Sequence, residues 1–199
     1  DFARFIKLDA SAQQIRDRIA FAARVLADVA ERELDAPWPI VDDAALVTRV
    51  LPELCRGART VADVAGANWT AGIGALLTWK QRTSLDVDVP ARIEVPTGNM
   101  IAVDYGAALA GGAPVLAVRL QELFGLTATP TVARGRARVV LHLLSPGYKP
   151  VQVTSDLASF WATTYAEVKR ELRARYPRHS WPDDPLTAPP TARARKRGT

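Results

Sequence analysis

The sequence holds a single cysteine, Cys55. No internal disulfide can form, which excludes a small secreted scaffold stapled by disulfides. Cys55 sits among apolar neighbours in LPELCRG and reads as a small buried core residue rather than a reactive thiol. Only two histidines, His142 and His179, accompany it. Without a Cys pair or an H-E-x-x-H stretch, the ligand spacing of a zinc site is missing. Neither G-x-x-x-x-G-K-[ST] nor G-x-G-x-x-G occurs, so no loop is built to cradle nucleotide phosphates. This chain alone is expected to bind no cofactor and hydrolyse no ATP. No G-x-S-x-G elbow presents a serine nucleophile, and no catalytic residue is expected. No apolar run approaches the roughly 20 residues that cross a bilayer, and the start lacks the basic-then-apolar design of a secretory signal. The expected setting is a reducing cytoplasm, with no membrane partner. The only methionine is Met100 and the chain opens at Asp1, so it is expected to be part of a longer polypeptide.

What is present suits a soluble fold. With 199 residues, 48% of them hydrophobic, the chain can bury one large core or two small ones without metal or disulfides. The net charge of +5 is placed unevenly. From Tyr165 to Thr199 there are nine basic and four acidic side chains, which accounts for the whole excess. The first 164 residues hold 17 of each sign and are neutral. One charged end on a neutral body is the asymmetry expected of a chain whose end meets phosphates.

The first third reads helical. SAQQIRDRIAFAARVLADVAEREL sets Ile15, Ile19, Ala22, Leu26 and Val29 along one stripe, with Ser11 as N-cap. Pro37 and Pro39 break the chain. Asp42 or Asp43 caps a second helix that stops at Gly57. Thr60 and Asp63 have the spacing of a capping box for a third. A fourth is expected over 71–82, weakened by Gly72 and Gly74.

The middle turns to strands. Residues 92–95 and 100–105 flank the hairpin signal Thr97-Gly98-Asn99. Residues 107–113 read as a linker, 114–118 as a strand leading into a helical turn, and 138–144 and 151–154 as further strands. In a strand, Arg134, Arg136 and Arg138 would all face one way. A long amphipathic helix over 156–176 comes last, with Leu157, Phe160, Trp161, Tyr165, Val168 and Leu172 as its apolar face. The class is α+β: helices over 1–85, a β-rich part over 86–185 closed by the long helix, and a basic, disordered tail over 186–199.

The candidate site is basic and aromatic. Lys169, Arg173, Arg175, Tyr176, Arg178, His179 and Trp181 fall in one short stretch, and Lys149 lies in a nearby loop. Lys and Arg supply phosphate contacts, and unpaired bases stack on aromatic rings and guanidinium planes. The bland alternative is a solvated helix face with a solubilising tail. His142, between leucines, reads as a half-buried strand histidine, whereas His179 reads either as a ligand contact or as local packing. Asp183 and Asp184 in WPDDP read as an Asx-type turn between prolines, with a hydrolytic role for them or for His179 as the outlying reading.

Three segments together carry a family resemblance: VPTGNMIAVDYG, APVLAVRLQELFGLTATPTV, and VVLHLLSPGYKPVQVTSDLASFWATTYAEVKRELRARYPRHSWPDDP. They resemble the C-terminal region of HrpB-type ATP-dependent helicases, bacterial relatives of the DEAH-box RNA helicases. The likeness is densest over 95–185. It implies a parent protein with two RecA-like motor lobes that use ATP and Mg, with this region as a partner of those lobes. It also implies nucleic acid, RNA, as a further partner, and by analogy an OB-like barrel in the β-rich part. The glycine-rich GAALAGGAP departs from the family pattern and reads as a loop variation. No catalytic residue carries over. The rival expectation is a docking module whose apolar faces meet the motor lobes or another protein.

Overall fold

The computed structural model describes residues 6–193. They form two compact units, one of the residues up to Ala91 with Tyr105–Gly112, and one of Arg92–Asp104 with the residues from Ala113 onward.

The first unit is helical. Helix α1, Ala10–Val25, starts on Asp9, whose carboxylate accepts the Ala12 N–H at 2.8 Å. The predicted cap, Ser11, lies inside the first turn instead. Leu26 leaves helical geometry (φ −120°, ψ 26°), so the single long helix of the sequence reading is two, with α2 at Ala27–Glu33. The expected stripe survives the break: Ile19, Ala22, Leu26 and Val29 are buried. Asp42 caps α3 at Asp43–Ala45, which runs through a π turn, Leu46–Val50, into α4 at Leu51–Leu54. Cys55, read as core, follows α4 and is exposed.

Thr60 and Asp63 close the expected capping box on α5, Val61–Ala65. The fourth predicted helix divides into α6, Trp69–Gly74, and α7, Trp79–Asp88. Thr78 and Gln81 form a second capping box at the start of α7, which restarts the chain there. Residues 107–113 are more than a linker, because α8, Gly106–Leu109, is helical. The Tyr105 ring packs on Phe21 at 5.2 Å, and its hydroxyl donates to the Pro90 carbonyl at 2.9 Å. Both rings are 1% exposed, so each contributes on the order of 2 kcal/mol of burial. Arg18 is buried as well. Its guanidinium donates to the Val89 and Leu85 carbonyls and to Asp86, which offsets its desolvation.

The second unit is built on a sheet. Its strands are β1 (Arg92–Glu94), β2 (Met100–Asp104), β3 (Val115–Arg119), β6 (Val140–Leu144) and β7 (Pro150–Thr154), in that spatial order. A short ribbon, β4 (Thr131–Val132) with β5 (Ala137–Arg138), lies between β3 and β6 in the chain. All pairings in the five-stranded sheet are antiparallel except β3 with β6, which run parallel. Alternation decides the faces: Leu116, Val118, Leu141 and Leu143 are fully buried, while His142 between the last two is half-buried. The α+β order read from the sequence is the one formed. The sheet is open, with β1 and β7 at its edges, where the analogy pointed to a barrel.

The arginine alternation at 134–138 fails. Ala133 and Arg134 take left-handed backbone (φ 53° and 58°), so only Arg138 of the three lies in a strand. The chain closes with α9 (Leu157–Ser159), a π turn (Phe160–Thr164) and α10 (Tyr165–Arg175). Beyond α10, Gly125 N–H donates to the Pro185 carbonyl and Thr191 N–H to the Gln121 carbonyl, both at 3.0 Å, so the chain is held as far as Thr191. Arg195, Lys196 and Arg197 of the expected tail lie outside the described residues.

Candidate nucleic-acid interface

Helix α10 is fixed by aromatic packing. Phe124, Trp161 and Tyr165 meet with centroids 5.4 to 6.2 Å apart, the Tyr165 ring edge-on to both others. The Trp161 indole donates to the Leu126 carbonyl at 2.8 Å. Tyr165 reaches the other way, its hydroxyl donating to the Pro182 carbonyl at 3.0 Å. Burial first, then the charge of Asp183, pushes that phenol well above its ordinary value. The segment returning after α10 is therefore tied to the helix it leaves.

Lys169 strengthens that tie. Its ammonium donates to Asp183 at 2.6 Å and to the Pro182 carbonyl at 3.3 Å, and it lies 5.9 Å from the Tyr165 centroid. The hydrogen bond from Lys169, and then its charge, hold the Asp183 carboxyl below the usual range, with Arg173 adding to the effect. Asp184 makes the Asx turn read from the sequence, accepting the Leu186 N–H and the Thr187 hydroxyl, both at 2.9 Å.

Tyr176 ends α10 and its carbonyl accepts two donors, the His179 N–H at 3.2 Å and the Trp181 indole at 2.8 Å. The His179 ring stands edge-on to the Tyr176 ring at 5.9 Å. Its buried Nδ1 has no hydrogen-bond partner among the described residues. Burial, then the charges of Arg119 and Arg178, depress the imidazole pKa below 6.5. Tyr176 also meets the β6–β7 turn. Its Oη lies 3.4 Å from Ser145 Oγ, which accepts the Lys149 N–H at 3.1 Å. Gly147 packs so closely there that a Cβ would sit 2.8 Å from Tyr176 Oη.

The candidate residues thus separate by position. Tyr176, His179, Trp181, Arg178 and the Lys149 turn come together. Lys149 and Arg178 are exposed, and among the described residues no carboxylate pairs with either. Arg173 is exposed and follows Lys169 by one helical turn, on the flank of Asp183. Arg175 lies two residues on, roughly 200° around the helix, where Glu171 stands 3.8 Å away. Lys169 itself is spent on Asp183 and only 18% exposed. Two residues that the sequence reading passed over border this group. Arg119 lies over the exposed Tyr148 ring, 4.8 Å from its centroid, and donates to the buried Glu122 at 2.7 Å. The signal for Tyr148 was its place in SPGYK, a turn in which a tyrosine follows the glycine.

Among the described residues no cluster of His, Cys, Asp and Glu could hold a metal ion, and no helix is long and apolar enough to cross a membrane. A family model described as ATP-dependent helicase C-terminal, HrpB_C, matches residues 50–185. The ATP-dependent RNA helicase HrpB of Escherichia coli (strain K12) is 41% identical over 191 residues, 94% of this chain and 22% of that protein. A crystal structure of the E. coli DExH-box NTPase HrpB superposes with a TM-score of 0.80 at 39% identity, covering 94% of this chain and 22% of that one. A second, of the Escherichia coli DEAH/RHA helicase HrpB, gives 0.68 at 37% identity, covering 89% and 22%. Fold and sequence therefore define the class as the C-terminal region of an ATP-dependent helicase. Within that class the chain belongs to the HrpB family, and it spans about a fifth (22%) of the length of these relatives.

Proposed function

We propose that this region is a non-catalytic accessory part of a cytoplasmic ATP-dependent RNA helicase, contacting single-stranded RNA while RecA-like lobes elsewhere in the parent protein hydrolyse ATP with Mg. One observation carries the reading: exposed Lys149 and Arg178 flank an interlocked Tyr176–His179 pair, with Arg173 and Arg175 on the adjoining helix end. Two of these cations, Lys149 and Arg178, have no acidic partner among the described residues, and cations beside aromatic edges match what RNA offers, phosphates and unpaired bases. The E. coli relative is named an ATP-dependent RNA helicase, which supports the choice of RNA.

The test is fluorescence anisotropy of a labelled single-stranded RNA with this chain across a salt series. About four phosphate contacts give a slope of log K against log salt near −3 for single strands. Arg173, Arg175 and Arg178 changed together to Ala should weaken binding and flatten that slope by about 2. An absence of binding at low salt would sink the proposal.

A second reading, docking of the helical unit onto another protein surface, rests on Trp79 and Val87 of α7, which are 78% and 72% exposed. It predicts no salt-dependent RNA binding.

A further inference from the structure

The β6–β7 turn contains a residue in the wrong conformation for its type. Tyr148 N–H donates to the Ser145 carbonyl at 2.9 Å, and Ser145 N–H to the Lys149 carbonyl at 2.8 Å. This is a four-residue turn with Pro146 at its second place and a left-handed residue at its end, followed by a shift in strand register. Glycine fills that left-handed place without strain. Here the place belongs to Tyr148, at φ 60°. The turn's glycine comes one residue earlier, where the closeness of Tyr176 to Gly147 demands it.

Burial does not repay the strain, because the Tyr148 side chain is a large hydrophobic left 63% exposed. One face of its ring lies against the Arg119 guanidinium. That guanidinium is held in advance: Arg119 Nε donates to Glu122, which is 3% exposed and also accepts from Thr97 Oγ1 and Asn99 Nδ2. The remaining ring surface faces solvent, and exposed Lys149 is the next residue. A strained, exposed aromatic backed by a pre-positioned cation is arranged for a flat ligand on its open face, since strain of this kind persists at functional sites.

We infer that Tyr148 is a stacking platform for one unpaired nucleobase, with Arg119 supporting the ring from behind and Lys149 meeting the adjoining phosphate. The inference rests on the interface proposed above and adds what that interface selects: a splayed base rather than a duplex. Gly147, the residue before Tyr148, packs against the Tyr176 hydroxyl, and Ser145 Oγ lies 3.4 Å from it, which puts the platform beside the Tyr176–Arg178 cluster.

The experiment compares the parent chain with Tyr148→Gly and Tyr148→Phe. Each is tested for binding to an oligoadenylate RNA of about twelve nucleotides, to a duplex of the same length, and for thermal unfolding. Tyr148→Gly should unfold at the same temperature as the parent or higher, because glycine removes the strain. It should nevertheless bind the single strand on the order of ten- to a hundredfold more weakly, and lose the preference for single strand over duplex. Tyr148→Phe should bind like the parent. A Tyr148→Gly chain that binds as the parent does, or that unfolds at a clearly lower temperature, overturns the platform. If the parent binds and the triple arginine change abolishes binding while Tyr148→Gly does nothing, the platform fails and the interface stands. If the parent does not bind at low salt, both fail.

Discussion

Removal of the Glu122 carboxylate tests the network behind Tyr148. The carboxylate is 3% exposed and accepts three hydrogen bonds, from Arg119 Nε at 2.7 Å, Asn99 Nδ2 at 2.5 Å and Thr97 Oγ1 at 3.2 Å. Breaking a fully buried ion pair costs about 3–5 kcal/mol. Arg119 retains 17% side-chain exposure, so its guanidinium recovers part of its hydration. Asn99 is exposed and turns to water. The expected loss for Glu122→Ala is therefore about 2–4 kcal/mol. Glu122→Gln keeps the shape but sets an amide N–H₂ against donors already in place, for a loss of about 1–2 kcal/mol. The assay is urea unfolding, with hydrogen exchange to locate the change. Exchange should quicken in the β1–β2 hairpin and around residues 119–123, and not in α1. The order Ala worse than Gln worse than parent follows from the geometry. A Glu122→Ala chain within about 0.5 kcal/mol of the parent, the range of ordinary surface changes, would refute the claim that this ion pair holds Arg119.

Two further predictions concern the Tyr176 neighbourhood. Gly147→Ala brings a methyl to 2.8 Å from Tyr176 Oη but only 3.5 Å from its ring carbons. It should cost about 1–2 kcal/mol, and Tyr176→Phe, which deletes the oxygen, should restore most of it in the double variant. No recovery in that urea-melt cycle would mean that the clash is not with the hydroxyl. His179 sets a pH dependence. Its folded pKa lies below the ordinary 6.5, so the unfolded chain binds more protons between the two values, and stability rises with pH there. The contribution is fully present above about 6.5 and is lost as pH falls through the folded value. Unfolding midpoints taken from about pH 7.5 to pH 5 should decline toward acid, and His179→Gln should flatten that decline. A slope unchanged in His179→Gln assigns it to another group.

The fold was legible wherever a signal was local. The Asp42 cap and the Thr60–Asp63 box each need only three or four residues, and both form. Hairpin chemistry worked for the same reason at Thr97-Gly98-Asn99, where Gly98 takes φ 80°. The errors arose where a periodic pattern continued across a local break. The stripe through Leu26 keeps its period while the backbone steps out of helix, and the Thr78–Gln81 box restarts a helix inside what read as one. Cys55 misled through its neighbours. Apolar composition in a window says nothing about which side of a helix end a residue occupies, and this one points to water. The arginines at 134, 136 and 138 alternate in sequence, but alternation fixes a face only in extended backbone, and two positive φ values at Ala133 and Arg134 remove that condition.

The candidate interface shows a different limit. Composition located the basic, aromatic stretch but could not say which groups the fold consumes. The Trp181 indole is committed to a backbone carbonyl, the Tyr176 ring carries His179, and the Lys169 charge is matched by Asp183. The first two contacts lie within five residues and the third spans fourteen, and all arise as the chain turns back after α10, a geometry that composition does not encode. Tyr148 is the converse case. In sequence it is one residue of a turn, and its surroundings are supplied by Arg119, Glu122, Thr97 and Asn99, which come from distant parts of the chain. Yet one trace of it was local. A turn that spends its glycine one place before the left-handed position must put strain on the residue after it. The proposed stacking accounts for a tyrosine that holds this place while 63% exposed.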